Sequence, residues 1–219
     1  MKQPKPKLLK YYFIVFLSLC FIILSCRSSF NSNWTKEQAP QFFKARFETS
    51  KGNFEIEAKR SWSPKAVDRM YQLLKNNYYT DVAIYRVIPE FVAQFGIHNE
   101  SAITNAWDAI PVEDEPVIEK NLKGTVAFAR GGPKSRTNNL FINLVNNSPR
   151  LDTINFNGVK GFPVVAKITS GFDVVASFYD GYGRNLDDKQ DLIIKEGNTY
   201  LKANYPKLDY IYKAYILKD

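Results

Sequence analysis

Apolar and polar residues alternate along much of the chain, a pattern that predicts β-strands rather than long helices. Residues 41–49 and 53–58 alternate on either side of a turn at residues 50–53 (SKGN), which is typical of a β-hairpin. Many short strands and few helices favour a mainly β fold, either a closed barrel or a sandwich. The further strand-like runs are VAIYRVI, FVAQFG, GTVAFAR, LFINLV, PVVAKI and, after Pro206, DYIYKAYIL.

Two segments have helical spacing instead. Apolar residues between Ala66 and Leu74 recur every three or four positions, which predicts an amphipathic helix. Ser63 suits the N-cap of this helix and Pro64 its first turn, and the pattern stops near residues 76–77 (NN). A second helix is predicted over about residues 189–203.

The longest apolar run, residues 11–24 (YYFIVFLSLCFIIL), follows ten polar and basic residues. A basic segment followed by an apolar one is typical of a secretory signal. The run is shorter than the roughly 20 residues that a spanning helix needs. It ends at residues 23–26 (ILSC), which resemble the lipobox of bacterial lipoproteins. We therefore predict a signal peptide over residues 1–25 and lipidation of Cys26, with an uncleaved anchor helix as the alternative.

Lipidation at Cys26 would attach the protein to a bacterial cell envelope. Residues 26–40 are polar after the cysteine and predict a tether. Arg27 stands where some lipoproteins carry the Asp that retains them at the inner membrane, so we predict the outer membrane, facing the periplasm, and leave surface exposure open. Cys20 lies inside the signal, so the domain itself would carry no free thiol and no disulfide.

Composition fits one medium-sized domain, with 219 residues, 45% of them hydrophobic and 15% aromatic. The net charge of +8 includes four lysines in the first ten residues; without them, 26 basic residues face 22 acidic ones, a balance of +4. No basic run is interleaved with aromatic residues after that segment, so we predict no nucleic-acid partner. The acidic run at residues 113–115 (EDE) lacks the ligand spacing of a calcium site and is predicted to be a solvated loop, and His98 to lie at the surface.

Two stretches carry the candidate chemistry. The first is residues 84–96 (IYRVIPEFVAQFG); the second begins at residues 124–130 (GTVAFAR) and continues through Gly132-Pro133 to residues 138–142 (NNLFI). Their order resembles the signature of cyclophilin-type peptidyl-prolyl cis–trans isomerases, over roughly residues 45–218. Further motifs fall in the same order: SPKAV at 63–67, YYTD at 78–81, IPVEDE at 110–115, Leu151-Asp152, VVAKI at 164–168 and GFDVV at 171–175.

The resemblance implies a closed eight-stranded antiparallel cyclophilin-like β-barrel with two capping α-helices, formed by residues 41–219. It implies isomerisation of X-Pro bonds in proline-containing polypeptides, here exported envelope proteins. It implies no cofactor and no metal. An extension near residues 181–206 exceeds a minimal member of the family, and the sequence does not disclose its role. A monomer is the default expectation.

X-Pro isomerisation makes and breaks no covalent bond, so it needs no nucleophile or general base. It has to lower a rotational barrier of ~18–20 kcal/mol, which requires a dry pocket for the proline ring and a fixed donor near the prolyl nitrogen. The resemblance gives the donor role to Arg86, and gives Gln94 the roles of orienting Arg86 and binding the substrate backbone. The substrate-binding positions that it implies are Phe91, Val92, Ala129, Arg130, Asn139, Phe141, Leu151 and Phe162.

Several positions depart from the family pattern and put the rate and the peptide preference in question. The absence of tryptophan at position 150 implies weak cyclosporin binding, and an insertion over 155–161 loosens the alignment at Phe162. The departures are Ile84-Tyr85 for Phe-His, Phe95 for glycine, Asn139 for glutamine, Arg150 for tryptophan and Phe162 for histidine.

These departures leave a second function open, a non-catalytic barrel that binds peptides or acts as a chaperone. A third class, a structural or nutrient-binding lipoprotein that shares only the signal, is disfavoured by the ordered motifs. Arg86 and the aromatic positions could also be purely structural when each is taken alone. Their joint occurrence at family spacing favours the enzyme.

Overall fold

The computed structural model describes residues 30–218, so the predicted signal peptide and Cys26 lie outside the described residues. The chain divides into two units, Met1–Asn31 and Ser32–Asp219, and every element below belongs to the second. Within the described part, no helix is both long and apolar enough to cross a membrane.

Nine of the eleven described strands form one antiparallel sheet, in the order β3-β11-β1-β2-β10-β6-β7-β5-β4, while β8 and β9 form a separate small hairpin. The predicted hairpin is confirmed, because β1 and β2 pair in register down to the Thr49–Gly52 turn. The strands are β1 Phe42–Thr49, β2 Gly52–Lys59, β3 Val82–Ala83, β4 Arg86–Ile88, β5 Val92–Phe95, β6 Thr125–Phe128, β7 Leu140–Asn143, β8 Asn155–Phe156, β9 Val159–Lys160, β10 Val164–Ser170 and β11 Tyr210–Ile216.

The two edge strands of the sheet, β3 and β4, follow each other in the chain with only Ile84 and Tyr85 between them. Three Cα–Cα steps span at most about 11 Å, so the sheet has to curl until its edges approach each other. The mainly β architecture is confirmed. The expected count of eight strands is wrong, since the curled sheet has nine, and among the described strands no hydrogen-bonded pairing joins β3 to β4 to close the ring.

Among residues 30–218, five α-helices accompany the sheet rather than the two expected. The two predicted ones are confirmed as α1 and α5; the three others are short, and their few residues give too weak a periodicity to predict. Inside α5, Gly197 has φ +58 and ψ −147 and marks a kink. The helices are α1 Pro64–Lys75, α2 Ser101–Asp108, α3 Arg150–Thr153, α4 Phe172–Ala176 and α5 Gln190–Asn204, with 3-10 turns at Ser32–Lys36 and Arg60–Trp62.

The N-terminus of α1 is capped by a distant carboxylate, which corrects two expectations. Ser63 makes no side-chain cap; its hydroxyl donates to Glu115 Oε2 instead (2.5 Å). Glu115 accepts hydrogen bonds from the backbone N–H groups of Lys65 (2.8 Å) and Ala66 (3.1 Å) and pairs with Arg136 at 3.2 Å. The acidic run is therefore not simply a solvated loop, because its last residue, Glu115, is half-buried and accepts hydrogen bonds from the free N–H groups of a helix.

The second half of the expected tether is docked on the domain. Gln72 in α1 donates to the carbonyls of Thr35 (3.1 Å) and Glu37 (2.6 Å), and the Trp34 ring stacks against Trp107 at 6.5 Å between centroids. Ala39 is buried as well. A polar composition predicted a free linker here, but backbone carbonyls and one aromatic ring are enough to attach it.

Candidate active site

A cavity of about 560 Å³ lies beside β4 and β5 and is bounded by the β6–β7 connection, α3, the β8–β9 hairpin and the chain before α5. All ten residues that the sequence singled out for the site line this one cavity. They come from four separate stretches of chain, which the curled sheet brings together. They are Arg86, Phe91, Val92, Gln94, Ala129, Arg130, Asn139, Phe141, Leu151 and Phe162.

Strand pairing places Arg86 directly opposite Gln94, since these residues are register partners on β4 and β5. Arg86 Nη1 donates to Gln94 Oε1 at 3.1 Å. The Arg86 guanidinium lies 5.9 Å from the centre of the Phe91 ring. Its Nη2 makes no hydrogen bond to any residue in the described part of the chain, so one face of a held cation is left for a ligand.

The support of Arg86 continues through four more polar side chains. Gln94 Nε2 donates to the Tyr85 hydroxyl (2.6 Å), which donates to Asn139 Oδ1 (3.1 Å). Asn139 Nδ2 donates to Asn138 Oδ1 (3.0 Å), and Asn138 Nδ2 donates to Asp108 Oδ1 (2.7 Å). The bonds run in one direction from a cation to a carboxylate, an arrangement in which each bond strengthens the next.

Burial keeps Tyr85, in the middle of this series of hydrogen bonds, neutral. It raises the pKa of Tyr85 well above its ordinary value, although the nearby Arg86 charge opposes the shift. Burial also raises the pKa of Asp108, against the hydrogen bonds that it accepts. Tyr85 therefore stays a hydroxyl donor at any ordinary pH, and the series of hydrogen bonds from Arg86 to Asp108 keeps its direction.

The floor of the cavity is apolar. Val92, Phe141 and Leu151 are buried in one cluster, and Phe91 and Phe162 pack against it half-buried. The rings of Phe141 and Phe162 meet edge to face, 5.7 Å apart and at 78°. Such a surface accepts a flat apolar ring and excludes water from it.

Ala129 and Arg130 form the opposite wall. The Ala129 N–H donates to the Asn139 carbonyl at 2.9 Å, so this donor is already used inside the protein. The Arg130 side chain is buried, lies 4.9 Å from the Phe162 ring centre and pairs with Asp114 at 3.4 Å. Burial lowers the pKa of Arg130 from its ordinary value. Its guanidinium therefore supports the wall rather than offering a solvated charge.

Three of the departures from the family pattern, Ile84, Tyr85 and Phe95, do not line the pocket. Phe95 is buried in the core, with ring contacts to Phe47 (5.8 Å) and Tyr79 (5.5 Å), and Ile84 is also buried. His98, expected at the surface, is half-buried against Tyr78 with ring centres 5.3 Å apart. It lies outside the pocket lining.

The sequence did not reveal several residues that line the cavity. Arg150 was noted only as a missing tryptophan, yet its guanidinium lies 5.3 Å from the Phe91 ring centre. Phe156 lies in the insertion at 155–161, where one aromatic residue among polar ones was an available signal. Nothing in the sequence pointed to the contributions from the extension, which are Arg184, Asp187 and Gln190.

The fold and the pocket define a mainly β protein with an apolar pocket next to a held arginine. Among residues 30–218, no group of three or more His, Cys, Asp and Glu side chains could hold a metal ion.

Comparison with known proteins identifies the family. The family model for cyclophilin type peptidyl-prolyl cis-trans isomerase/CLD matches residues 44–196. A peptidyl-prolyl cis-trans isomerase of Acinetobacter baylyi is 33% identical over 133 residues, which cover 58% of this chain and 66% of that protein. Peptidyl-prolyl cis-trans isomerase B of Escherichia coli K12 is 31% identical over 135 residues, covering 59% and 79%. The chain belongs to the cyclophilin-type peptidyl-prolyl cis–trans isomerase family, and it is an isomerase.

Solved structures agree on the fold. A cyclophilin type peptidyl-prolyl cis-trans isomerase of Cryptosporidium parvum superposes with a TM-score of 0.54 at 18% identity, covering 81% of this chain and 99% of that one. A structure of that protein in the presence of the dipeptide Ala-Pro gives the same TM-score at 17% identity. The mainly β, cyclophilin-like architecture is therefore established for this chain.

Proposed function

We propose that Arg86 is the catalytic residue of this isomerase and that Gln94 orients it. The observation that carries this proposal is Arg86 Nη2, which lacks a hydrogen-bond partner within residues 30–218 while Nη1 is held by Gln94. An arginine suits the role because its donors stay charged at any physiological pH.

The reaction then follows from the geometry of the pocket. In the planar X-Pro bond the nitrogen lone pair is shared with the carbonyl, and this sharing is lost as the bond twists. A donor near the nitrogen stabilises the twisted state more than the planar one, which is what lowers the barrier. Arg86 would supply that donor without any covalent step.

Substrate binding divides between the floor and the wall of the pocket. The proline ring would pack on Phe91, Val92, Phe141, Leu151 and Phe162, which provide an apolar surface. The peptide backbone would lie along the wall opposite, next to Ala129, Arg130 and Asn139. Because the Ala129 N–H is already bonded, the peptide would use the other polar groups of this wall.

The test is NMR exchange of a peptide with one Ala-Pro bond, using the full-length protein and its Arg86→Ala variant. We expect the variant to lose at least about tenfold in kcat/KM with its fold intact. Arg46→Ala is the control, because Arg46 is half-exposed on β1 and pairs only with Glu55 and Tyr215 outside the pocket. If Arg86→Ala keeps the wild-type rate, Arg86 is not the catalytic residue. If wild type binds the peptide without accelerating exchange, the alternative of a non-catalytic binding module is correct.

We also propose that the protein is a lipoprotein that isomerises proline bonds of exported envelope proteins, as a monomer at the periplasmic side of the outer membrane. The support is the basic and apolar run that ends at Cys26. Membrane fractionation of cells that make the full chain or Cys26→Ser tests it. Cleavage of the wild-type chain before Cys26, with a lipid on Cys26 and no cleavage in Cys26→Ser, is the expected result, whereas a wild-type chain that stays uncleaved in the membrane would indicate the anchor helix.

A further inference from the structure

The C-terminal extension contacts Arg86 at Nε, a different nitrogen from the Nη1 that Gln94 binds. Arg86 Nε lies 2.7 Å from Asp187 Oδ1, in an ion pair whose N–H direction is not that of a hydrogen bond. The other carboxylate oxygen of Asp187 accepts a hydrogen bond from Arg184 Nη1 at 3.2 Å. Among the described residues that line the pocket, Asp187 is the one acidic side chain, against four arginines.

The backbone that carries Asp187 is anchored on both sides. Leu186 is fully buried in a cluster that contains Tyr85 and, from α5, Ile193 and Leu201. Short turns fix the neighbours, since the Asp187 N–H donates to the Arg184 carbonyl at 3.0 Å. The carboxylate therefore belongs to the same packed unit as the tyrosine that supports Gln94.

Helix α5 is itself attached closely to the loops beside β3 and α2. Asn198 Nδ2 donates to the Asp81 carbonyl (2.8 Å), and the Asn198 N–H donates to Asn99 Oδ1 (2.7 Å). At Gly197 a Cβ atom would lie 2.4 Å from the Asn99 carbonyl oxygen, so only glycine permits this approach. A docked helix gives Asp187 a fixed position relative to β4.

The contacts divide the guanidinium into held and free parts. Asp187 contacts Nε, Gln94 accepts a hydrogen bond from Nη1, and Nη2 has no hydrogen-bond partner among the described residues. An arginine side chain loses much rotamer freedom when it is fixed. If the protein already holds the Arg86 side chain in place, this loss of rotamer freedom does not add to the barrier of the reaction.

We propose that Asp187 is a positioning residue for Arg86, so that the extension over residues 181–206 completes the active site. The proposal rests on the proposed catalytic role of Arg86. Asp187 acts through Arg86 on the twisted state, so its loss lowers kcat and leaves KM nearly unchanged. The loss of Asp187 would also shift the NMR signal of Arg86 Nε–Hε, because Nε is the atom that the Asp187 carboxylate contacts.

The experiment compares Asp187→Asn with Asp188→Asn in the full-length protein, by NMR exchange of an Ala-Pro peptide at saturating and sub-saturating concentrations. Asp188 is the matched control, because it is the next residue, has the same charge, is 74% exposed and pairs only with Lys189. We expect Asp187→Asn to lower kcat by about tenfold, to shift the Arg86 Nε–Hε signal, and to be partly rescued in Asp187→Glu. Asp188→Asn should change neither kcat nor the Arg86 Nε–Hε signal.

Three results would overturn the proposal: an unchanged kcat in Asp187→Asn, a raised kcat, or an equal loss in the Asp188→Asn control. A double variant separates this failure from that of Arg86. If Arg86→Ala is slow and adding Asp187→Asn slows it no further, Asp187 acts through Arg86. If Arg86→Ala is as fast as wild type, the role of Arg86 itself is wrong, and Asp187 then has no group through which to act.

Discussion

At the scale of single residues, two departures from the family pattern compensate for each other. Tyr85 is longer than the usual histidine, and Asn139 is shorter than the usual glutamine. Their side chains meet, with the Tyr85 hydroxyl donating to Asn139 Oδ1 at 3.1 Å and accepting from Gln94. Read singly, each departure suggests a weakened site. Read as a pair, they preserve a continuous support for Arg86.

We predict that Tyr85→Phe slows isomerisation while the protein still folds. The variant leaves Gln94 Nε2 and Asn139 Oδ1 without their partner, which costs about 1–3 kcal/mol in a buried site, and it frees Gln94 to turn away from Arg86. Tyr79→Phe is the control, since Tyr79 is buried and donates to the Asn138 carbonyl at 2.9 Å but lies outside the pocket lining. Urea unfolding and exchange NMR measure the two effects. A Tyr85→Phe variant with the wild-type rate would contradict the prediction.

A second prediction at this scale concerns pH. Burial lowers the pKa of His98 from its ordinary value near 6.5, while nearby Glu100 and Asp81 oppose the shift. The unfolded state therefore binds the proton more readily, so the free energy of unfolding falls as pH falls from about 7 through 6.5 to the lower folded pKa. Thermal unfolding from pH 7.5 to 5.5 measures this slope. The slope should flatten in His98→Asn, and an identical slope in the variant would exclude the histidine as its source.

At the scale of elements, the sequence located α1 but not its cap. Apolar spacing identified the helix, and Ser63 occupied the position where a cap is expected. In the structure Glu115, about 50 residues away, accepts from the first N–H groups of the helix and pairs with Arg136, whose side chain is fully buried. This link also joins the helix to the loop that leads into the pocket wall.

We predict that Glu115→Gln destabilises the protein by on the order of 3 kcal/mol, because it leaves the buried Arg136 charge uncompensated. Glu113→Gln is the matched control. Glu113 is exposed, and its side chain pairs only with Lys65 at the surface, so its loss should cost less than about 1 kcal/mol. Urea unfolding monitored by tryptophan fluorescence measures both. Equal losses in the two variants would show that Glu115 acts only as a surface charge.

At the scale of the whole molecule, the docked segment before β1 belongs to the folded unit. Trp34 stacks on Trp107 of α2, and residues 35 and 37 bind Gln72 of α1. The segment thus contacts two helices of the folded unit. A tether that adheres to its own domain contributes to the stability of that domain.

We predict that Trp34→Ala lowers the free energy of unfolding by about 1–2 kcal/mol, since it removes a half-buried aromatic contact. Phe42→Ala is the comparison, because Phe42 is an aromatic residue of β1 that is 61% exposed. The loss of the Phe42 ring should lower the free energy of unfolding by less than the loss of the Trp34 ring. If Trp34→Ala is as stable as wild type, the segment only rests on the domain and does not stabilise it.

The sequence alone determined the periodic elements and the residues of the pocket floor. The hairpin, α1, α5 and most strands follow from period-2 and period-3.6 patterns, which are local properties of the chain. Arg86, Gln94 and the apolar positions could be named because ordered motifs resemble a family.

Only the tertiary structure decided which distant residues meet. The curl of the nine-stranded sheet, the Glu115 cap, the Tyr85–Asn139 contact and the approach of Asp187 to Arg86 each join residues far apart in sequence. No local pattern records such a contact, because its energy arises only after both partners have been brought together and desolvated. The floor of the site was therefore predictable from the sequence, whereas the carboxylate that holds its arginine was not.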